Sequence, residues 1–200
     1  MKQDEFRQKL LDGTIRIIAR DGLNRASTKL IGSETCVNEA YIYRCFKDKE
    51  DMFAKAFDVM DEELLEKTLG PLSVMSDESL TFKIRSKRYF DEIWNFLLSS
   101  KDKCLAYVQY FYSPFFTKYS AETHEKRFAP LLKVFRPAFK DEADVWMILN
   151  HILNVMLDFA VKVHNDHMPN NEVYSEHVFR VIYESVKQYF RWNEGSEEGA

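Results

Sequence analysis

The sequence predicts an all-α protein, and three observations carry that expectation. Across 200 residues there are only six glycines and five prolines. Between Pro71 and Glu194 there is no glycine at all. A sandwich or barrel needs many tight turns rich in Gly, Asn and Asp, so this scarcity argues against strands. Apolar residues recur instead at spacings of three and four, the repeat of a helix face. The hydrophobic share of 46% supports one ample core or two small ones, without help from disulfides or a metal.

The elements follow in order. Phe6, Leu10, Leu11, Ile15, Ile18 and Ala19 mark a first helix over about 4–20, ended by Gly22. Ser27 and Thr28 are capping candidates for a short second helix that carries Leu30 and Ile31 inward and stops near Thr35. Asn38 caps a third, in which Ile42 and Phe46 share a face. Asp48, with Asp51 three residues on, opens a long helix whose stripe is Met52, Phe53, Ala56, Phe57, Met60, Leu64 and Leu65, and Gly70–Pro71 ends it. Further helices are expected over 77–99, over 104–112 with a stop at Pro114, and over 123–139 with a kink or break at Pro130 and Pro137. The last two run over about 142–165 and 171–192, divided by the polar stretch DHMPNN. About nine helices result. The tail over 194–200, with no apolar residue larger than alanine, is expected to be disordered.

Composition narrows the function class. The cysteines Cys36, Cys45 and Cys104 are odd in number and form no CxxC pair, which fits free thiols in a reducing cytosol. The start, MKQDEFRQKLLDG, lacks the apolar core of a signal peptide, and no later stretch approaches an uncharged membrane span. A cytoplasmic protein without membrane attachment is expected. Catalytic machinery is not found: there is no GxGxxG, P-loop or GxSxG, and no Glu-x-x-His pair or zinc-protease histidine spacing. His164, Asp166 and His167 read as a polar helix end rather than a metal site. Neither an enzyme nor a cofactor is expected.

Two short helices joined by a tight turn have the layout of a helix-turn-helix. The string ASTKLIGSETCVNEAYIYRCFKDKEDMF sharpens this, because it resembles the DNA-binding segment of the tetracycline-repressor (TetR) family of bacterial transcription regulators. The resemblance rests on Thr28, Ile31, Val37, Ile42-Tyr43, Phe46 and Lys49-Glu50, with LLDGTIRIIARDG before them, and covers residues 10 to about 57. One departure is Cys36, which stands where the family commonly has a turn glycine; a non-Gly residue adopts positive φ there at some cost.

The resemblance implies a three-helix DNA-binding head over 1–49 and a helical effector-binding and dimerisation body over 50–193. Charge divides the same way. The formal charge of −4 is an average over residues 1–49, with ten Lys or Arg against seven Asp or Glu (+3), and residues 50–200, with 18 against 25 (−7). By alignment with the family, phosphate contacts fall to Thr28, Lys29, Tyr43, Lys47 and Lys49. Base reading falls to the exposed face of the recognition helix: Asn38, Glu39, Ala40, Tyr41 and Arg44. Arg44 suits guanine and Ala40 a thymine methyl, while Glu39 either accepts from cytosine N4 or serves the helix terminus.

In the body, aromatic residues are dense, and Trp94, Tyr107, Tyr110, Phe111 and Phe128 are candidates to line a partly apolar or aromatic effector's pocket. Asn150, His151, Asn154 and Asp158 share one wedge of the penultimate helix, and facing inward, His151 and Asn154 would join that pocket; facing outward, the wedge is a solvated strip. The resemblance also implies a homodimer through the last two helices, for which the stripe Phe179, Ile182, Val186 and Phe190 is the candidate seam, or else protomer core. The expected function is a one-component repressor released from operator DNA by a small molecule. The competing readings are a helical binding protein that does not use its head, and a thiol sensor built on Cys36 and Cys45.

Overall fold

The computed structural model describes residues 3–191, and the expected disorder over 194–200 lies outside them. Among the described residues there are eleven α-helices and no named strand, so the all-α expectation holds. They are α1 (Gln3–Asp21), α2 (Thr28–Thr35), α3 (Glu39–Cys45), α4 (Lys49–Leu69), α5 (Leu72–Met75), α6 (Phe82–Ser99), α7 (Lys101–Phe111), α8 (Pro114–Tyr119), α9 (Ala121–Phe135), α10 (Val145–His164) and α11 (Glu172–Val186). Two 3-10 turns, Arg136–Ala138 and Lys187–Tyr189, follow α9 and α11.

The two helices beyond the nine expected are α5 and α8. Both are short, and apolar periodicity needs more length than they have. Pro114, expected as a stop, opens α8, where a first-turn proline loses no hydrogen bond it would otherwise make. Pro130 lies inside α9, whose regular part ends at the 3-10 turn containing Pro137. The helix expected from 77 starts only at Phe82, because Asp77 uses its carboxylate to accept from the backbone and hydroxyl of Ser79 and so holds a turn.

The chain packs as two units, Met1–Leu64 with Ser100–Arg127, and Leu65–Ser99 with Phe128–Ala200, the division falling inside α4 and α9. In the first unit α1 lies along α7 and α2. Its core is Leu10, Leu11, Ile17, Ile18, Ile31, Ile42, Met52, Phe53 and Phe57, all fully buried or nearly so. Helices α1 and α2 approach closely: a side chain added at Gly13 would meet Thr35 Cγ2 at 2.1 Å. Deep in α1 and α2, the buried hydroxyls of Thr14 and Thr35 donate to carbonyls four residues back, so neither is left unsatisfied.

In the second unit α6 packs with α10 and α11 around Phe90, Ile93, Trp94, Ile148, Leu157, Phe179 and Ile182. Residues after each 3-10 turn pair briefly: Phe139 and Phe190 form an antiparallel bridge, with Lys140 N donating to Tyr189 O and Arg191 N to Ala138 O. Arg136 fixes that corner by donating to the carbonyls of Lys140, Asp141 and Ala143.

Candidate nucleic-acid interface

Helices α2 and α3 meet through a turn whose geometry depends on Cys36. This residue has φ 53° and ψ 32°, a left-handed conformation that glycine adopts without cost. Its amide donates to Ser33 O, and the next amide, of Val37, donates to Gly32 O, closing the end of α2. Gly32 must itself lack a side chain, since a Cβ there would stand 2.9 Å from Val37 O. Ser27 caps α2 by accepting from Leu30 N, and Asn38 caps α3 by accepting from Ala40 N.

On α3, Ile42 is fully buried and Phe46, just after the helix, nearly so. These two fix the roll of a seven-residue helix and turn Ala40, Tyr41, Tyr43 and Arg44 outward. Tyr43 is 59% exposed, free to meet a partner outside the chain. Lys29 and Lys47 are exposed; Lys49 is half-buried with its ammonium 5.5 Å from the centre of the Phe53 ring. Thr28 is half-buried, and its hydroxyl donates to Glu39 Oε1 at 2.5 Å. The Asn38 carbonyl is committed to its cap, which leaves the amide group of that side chain for other contacts.

Two arginines elsewhere in the head are already paired. Arg16 and Arg20 both reach Glu34, and Arg20 also pairs with Asp21. The Arg20 guanidinium holds the carboxyls of Asp21 and Glu34 below their ordinary range. Arg44 makes no hydrogen bond or ion pair among the described residues; its guanidinium carbon lies 4.9 Å over the Tyr41 ring. Among the described residues, the cations of the head without an ion-pair partner thus include Lys29, Arg44 and Lys47 at the turn and recognition helix.

The effector candidates divide between the two units. Tyr107, Tyr110 and Phe111 lie in the first, in an aromatic cluster with Phe57, Phe116 and His124. At its edge is a carboxylate that the sequence reading passed over. Asp61 is fully buried; it accepts from the Tyr107 hydroxyl at 3.0 Å and from Arg127, and bonds His124 Nδ1 at 2.8 Å. Burial, then the negative charge of Asp61, push the Tyr107 hydroxyl well above its ordinary pKa. A signal for Asp61 did exist, since it stands four residues after Phe57 within the apolar stripe of α4.

Trp94 and Phe128 are buried in the second unit, Trp94 stacked on Phe90. The wedge on α10 faces outward: His151 and Asp158 are exposed, Asn150 and Asn154 half-exposed. His151 bonds Ser185 on α11, and Asp158 pairs with Lys162. His151 and Asn154 are therefore not brought to the aromatic residues they were grouped with. Phe179, Ile182, Val186 and Phe190 are turned into the second unit's own core, Phe179 against Phe90 and Phe190 against Phe82. The outward surface is carried instead by Met147, Val173 and Val181. Helix α10 is long and apolar enough to cross a membrane by length and composition, yet only 28% of its most apolar stretch is buried.

A seven-residue helix presented on a tight turn, flanked by unpaired cations and held by a three-helix core, defines a helix-turn-helix protein. Comparison with known proteins agrees. Residues 10–56 match the family model for bacterial regulatory proteins of the tetR family. Over 100 residues the chain is 31% identical to the HTH-type nicotine-responsive transcriptional repressor HdnoR of Paenarthrobacter nicotinovorans, a match spanning half of each chain. Among solved structures, a TetR family transcription regulator from Marinobacter aquaeolei VT8 superposes with a TM-score of 0.74 at 15% identity, over 90% of this chain and 95% of that one. FadR from Bacillus subtilis, solved with stearoyl-CoA, gives 0.68 at 17% identity, over 88% and 96%. Residues 10–56 thus match the tetR-family DNA-binding segment, and the fold of the chain is that of solved TetR-family regulators.

Proposed function

We propose that the protein is a one-component transcriptional repressor, cytoplasmic and homodimeric, that binds operator DNA through α2 and α3 and is released by a small-molecule effector. The observation that carries this reading is the outward face of α3, with Tyr41, Tyr43 and Arg44 exposed beside Lys29 and Lys47. Residues 1–49 serve as the DNA-binding head and 50–193 as the effector and dimerisation body. Thr28, Lys29, Tyr43, Lys47 and Lys49 contact phosphate, while Asn38, Glu39, Ala40, Tyr41 and Arg44 face the bases in the major groove.

The outward faces of α10 and α11 support dimerisation. An apolar helix so little buried needs a cover, and lipid is a poor one for a face that carries His151, Asn154 and the charged pair Asp158–Lys162. A second copy of the same pair of helices meets that need by two-fold symmetry, giving two recognition helices for a pseudo-palindromic site. The effector is an at least partly aromatic molecule, as the nicotine-responsive relative and the cluster around Tyr107 and Phe111 both suggest. Effector binding that favours another arrangement of α4 and α7 would move the head, because α7 packs along α1.

The test is binding of the whole chain to duplexes enriched from a random-sequence pool, measured against salt. Wild type is expected to show a steep salt dependence, and the Tyr43→Ala, Lys49→Ala double variant to bind more weakly with a slope reduced by about one. A double variant that folds and binds unchanged would overturn the phosphate assignments.

A further inference from the structure

Three aromatic or planar side chains connect the first turn of the chain to the recognition helix. The Phe6 ring of α1 stacks on Tyr41 of α3, with centroids 5.5 Å apart and planes 21° from parallel. Three residues further along α3, on the same side of the helix, Arg44 lays its guanidinium 4.9 Å over the Tyr41 ring. The next residue of α1, Arg7, lies 5.5 Å over Phe46 at the end of the same helix. The first turn of α1 thus grips α3 at two points.

The chemistry of the stack leaves Arg44 ready for a further partner. A guanidinium on an aromatic face uses its π surface, and its N–H groups stay in the plane, directed away from the ring. Bidentate recognition of guanine O6 and N7 uses those in-plane donors. Stacking and base reading are therefore compatible for one arginine. Stacking also removes rotamer freedom that a free arginine would otherwise lose on meeting DNA. Among the described residues Arg44 has no carboxylate partner to give up, unlike Arg16 and Arg20 of the same head. Phe6 is half-buried and carries no hydrogen-bonding side-chain group, so its contribution can come only through the ring it touches.

We propose that Phe6 and Tyr41 form a platform that pre-sets Arg44 for one guanine in each half-site, making Phe6 a positioning residue for base selectivity that does not itself contact DNA. Tyr41 acts in this through its ring, not through its hydroxyl. The inference rests on the operator-binding reading given above.

Its test uses the full chain and duplexes enriched by wild type from a random-sequence pool, then varied one base pair at a time and measured at fixed salt. Arg44→Ala is expected to lose roughly tenfold to hundredfold of the preference at one guanine position. Phe6→Ala should lose roughly two- to fivefold at that same position, with salt slope and affinity for unrelated duplex unchanged. In an Arg44→Ala background Phe6→Ala should add nothing there, whereas a general loosening of the head would still register. Should Phe6→Ala fail to fold, Phe6→Leu keeps an apolar side chain on Tyr41 without an aromatic face and is expected to show the same loss. A preference untouched by the folded Phe6 variant, or an effect that persists without Arg44, overturns the platform. A pool in which wild type enriches nothing overturns the operator-binding reading first, and the platform with it.

Discussion

The hydroxyl of Thr28, at the start of α2, donates to the carboxylate of Glu39, at the start of α3, across the turn that joins the two helices. Both residues belong to the face proposed for DNA, one for phosphate and one for bases. A phosphate can recruit the Thr28 hydroxyl only if Glu39 gives it up, and a released carboxylate near the duplex is repelled unless a base such as cytosine offers N4–H. If the face meets DNA as proposed, the pair acts in selectivity as well as in contact.

Glu39→Gln keeps an oxygen for Thr28 and removes the charge. Affinity for unrelated duplex is expected to rise about fivefold at low salt, on the order of the 1 kcal/mol that a unit charge contributes at close range in water. The ratio of selected to unrelated binding should fall. Titrations of both duplexes by fluorescence anisotropy measure this, and an unchanged ratio would show that Glu39 has no part in selectivity.

Asp61 ties α4 to α7 and α9 from a fully buried position. Asp61→Ala leaves the Tyr107 hydroxyl and much of the Arg127 charge without their partner, and is expected to cost about 3 kcal/mol of stability. Glu62→Ala removes an exposed partner of the same arginine and should cost about 0.5 kcal/mol or less. Urea denaturation of the two variants decides it: equal midpoints would mean that the buried network contributes nothing specific.

Alkaline pH should destabilise the first unit. Burial pushes the Cys104 thiol up to about 12, and Tyr107 and Tyr110 are also raised, chiefly by burial. A raised folded pKa means that the native state keeps a proton the unfolded chain releases, so this stability is full below the unfolded value and lost as pH climbs toward the folded one. For a thiol the loss begins near an unfolded value of about 8.5, for the tyrosines near about 10. Urea midpoints between pH 8 and 10 should decline in wild type and decline less in Cys104→Ala. Parallel curves would contradict the assignment to the thiol.

Cys36 holds a left-handed backbone where glycine would be unstrained. Cys36→Gly is expected to stabilise the protein by about 0.5–1 kcal/mol, the relieved strain exceeding the extra freedom that glycine gives the unfolded chain. The signature is a higher urea midpoint with an unchanged slope. A lower midpoint would mean that contacts of the thiol outweigh the strain.

The division of labour between sequence and fold is visible in particular elements. The long helices and the head were legible because each repeats an apolar position every three or four residues, and because the caps Ser27 and Asn38 and the turn at Cys36 act through neighbours within a few residues. Helices α5 and α8 escaped because four or six residues hold too little periodicity to register. The aromatic residues of the body could be listed but not sorted, and the fold places Tyr107 with Phe57 in one unit and Trp94 with Phe90 in the other.

The sequence by itself determined the all-α class and the helix-turn-helix with its resemblance over residues 10–56, since these depend on local periodicity, capping and a contiguous motif. Only the tertiary structure decided which way a face points. It turned Phe179, Ile182, Val186 and Phe190 into the protomer's core, turned the polar wedge of α10 outward, and brought Phe6 onto Tyr41 and Asp61 to His124. The reason is physical: a helix stripe fixes that a surface will be covered, while what covers it depends on contacts between residues far apart in the chain, which no local spacing encodes.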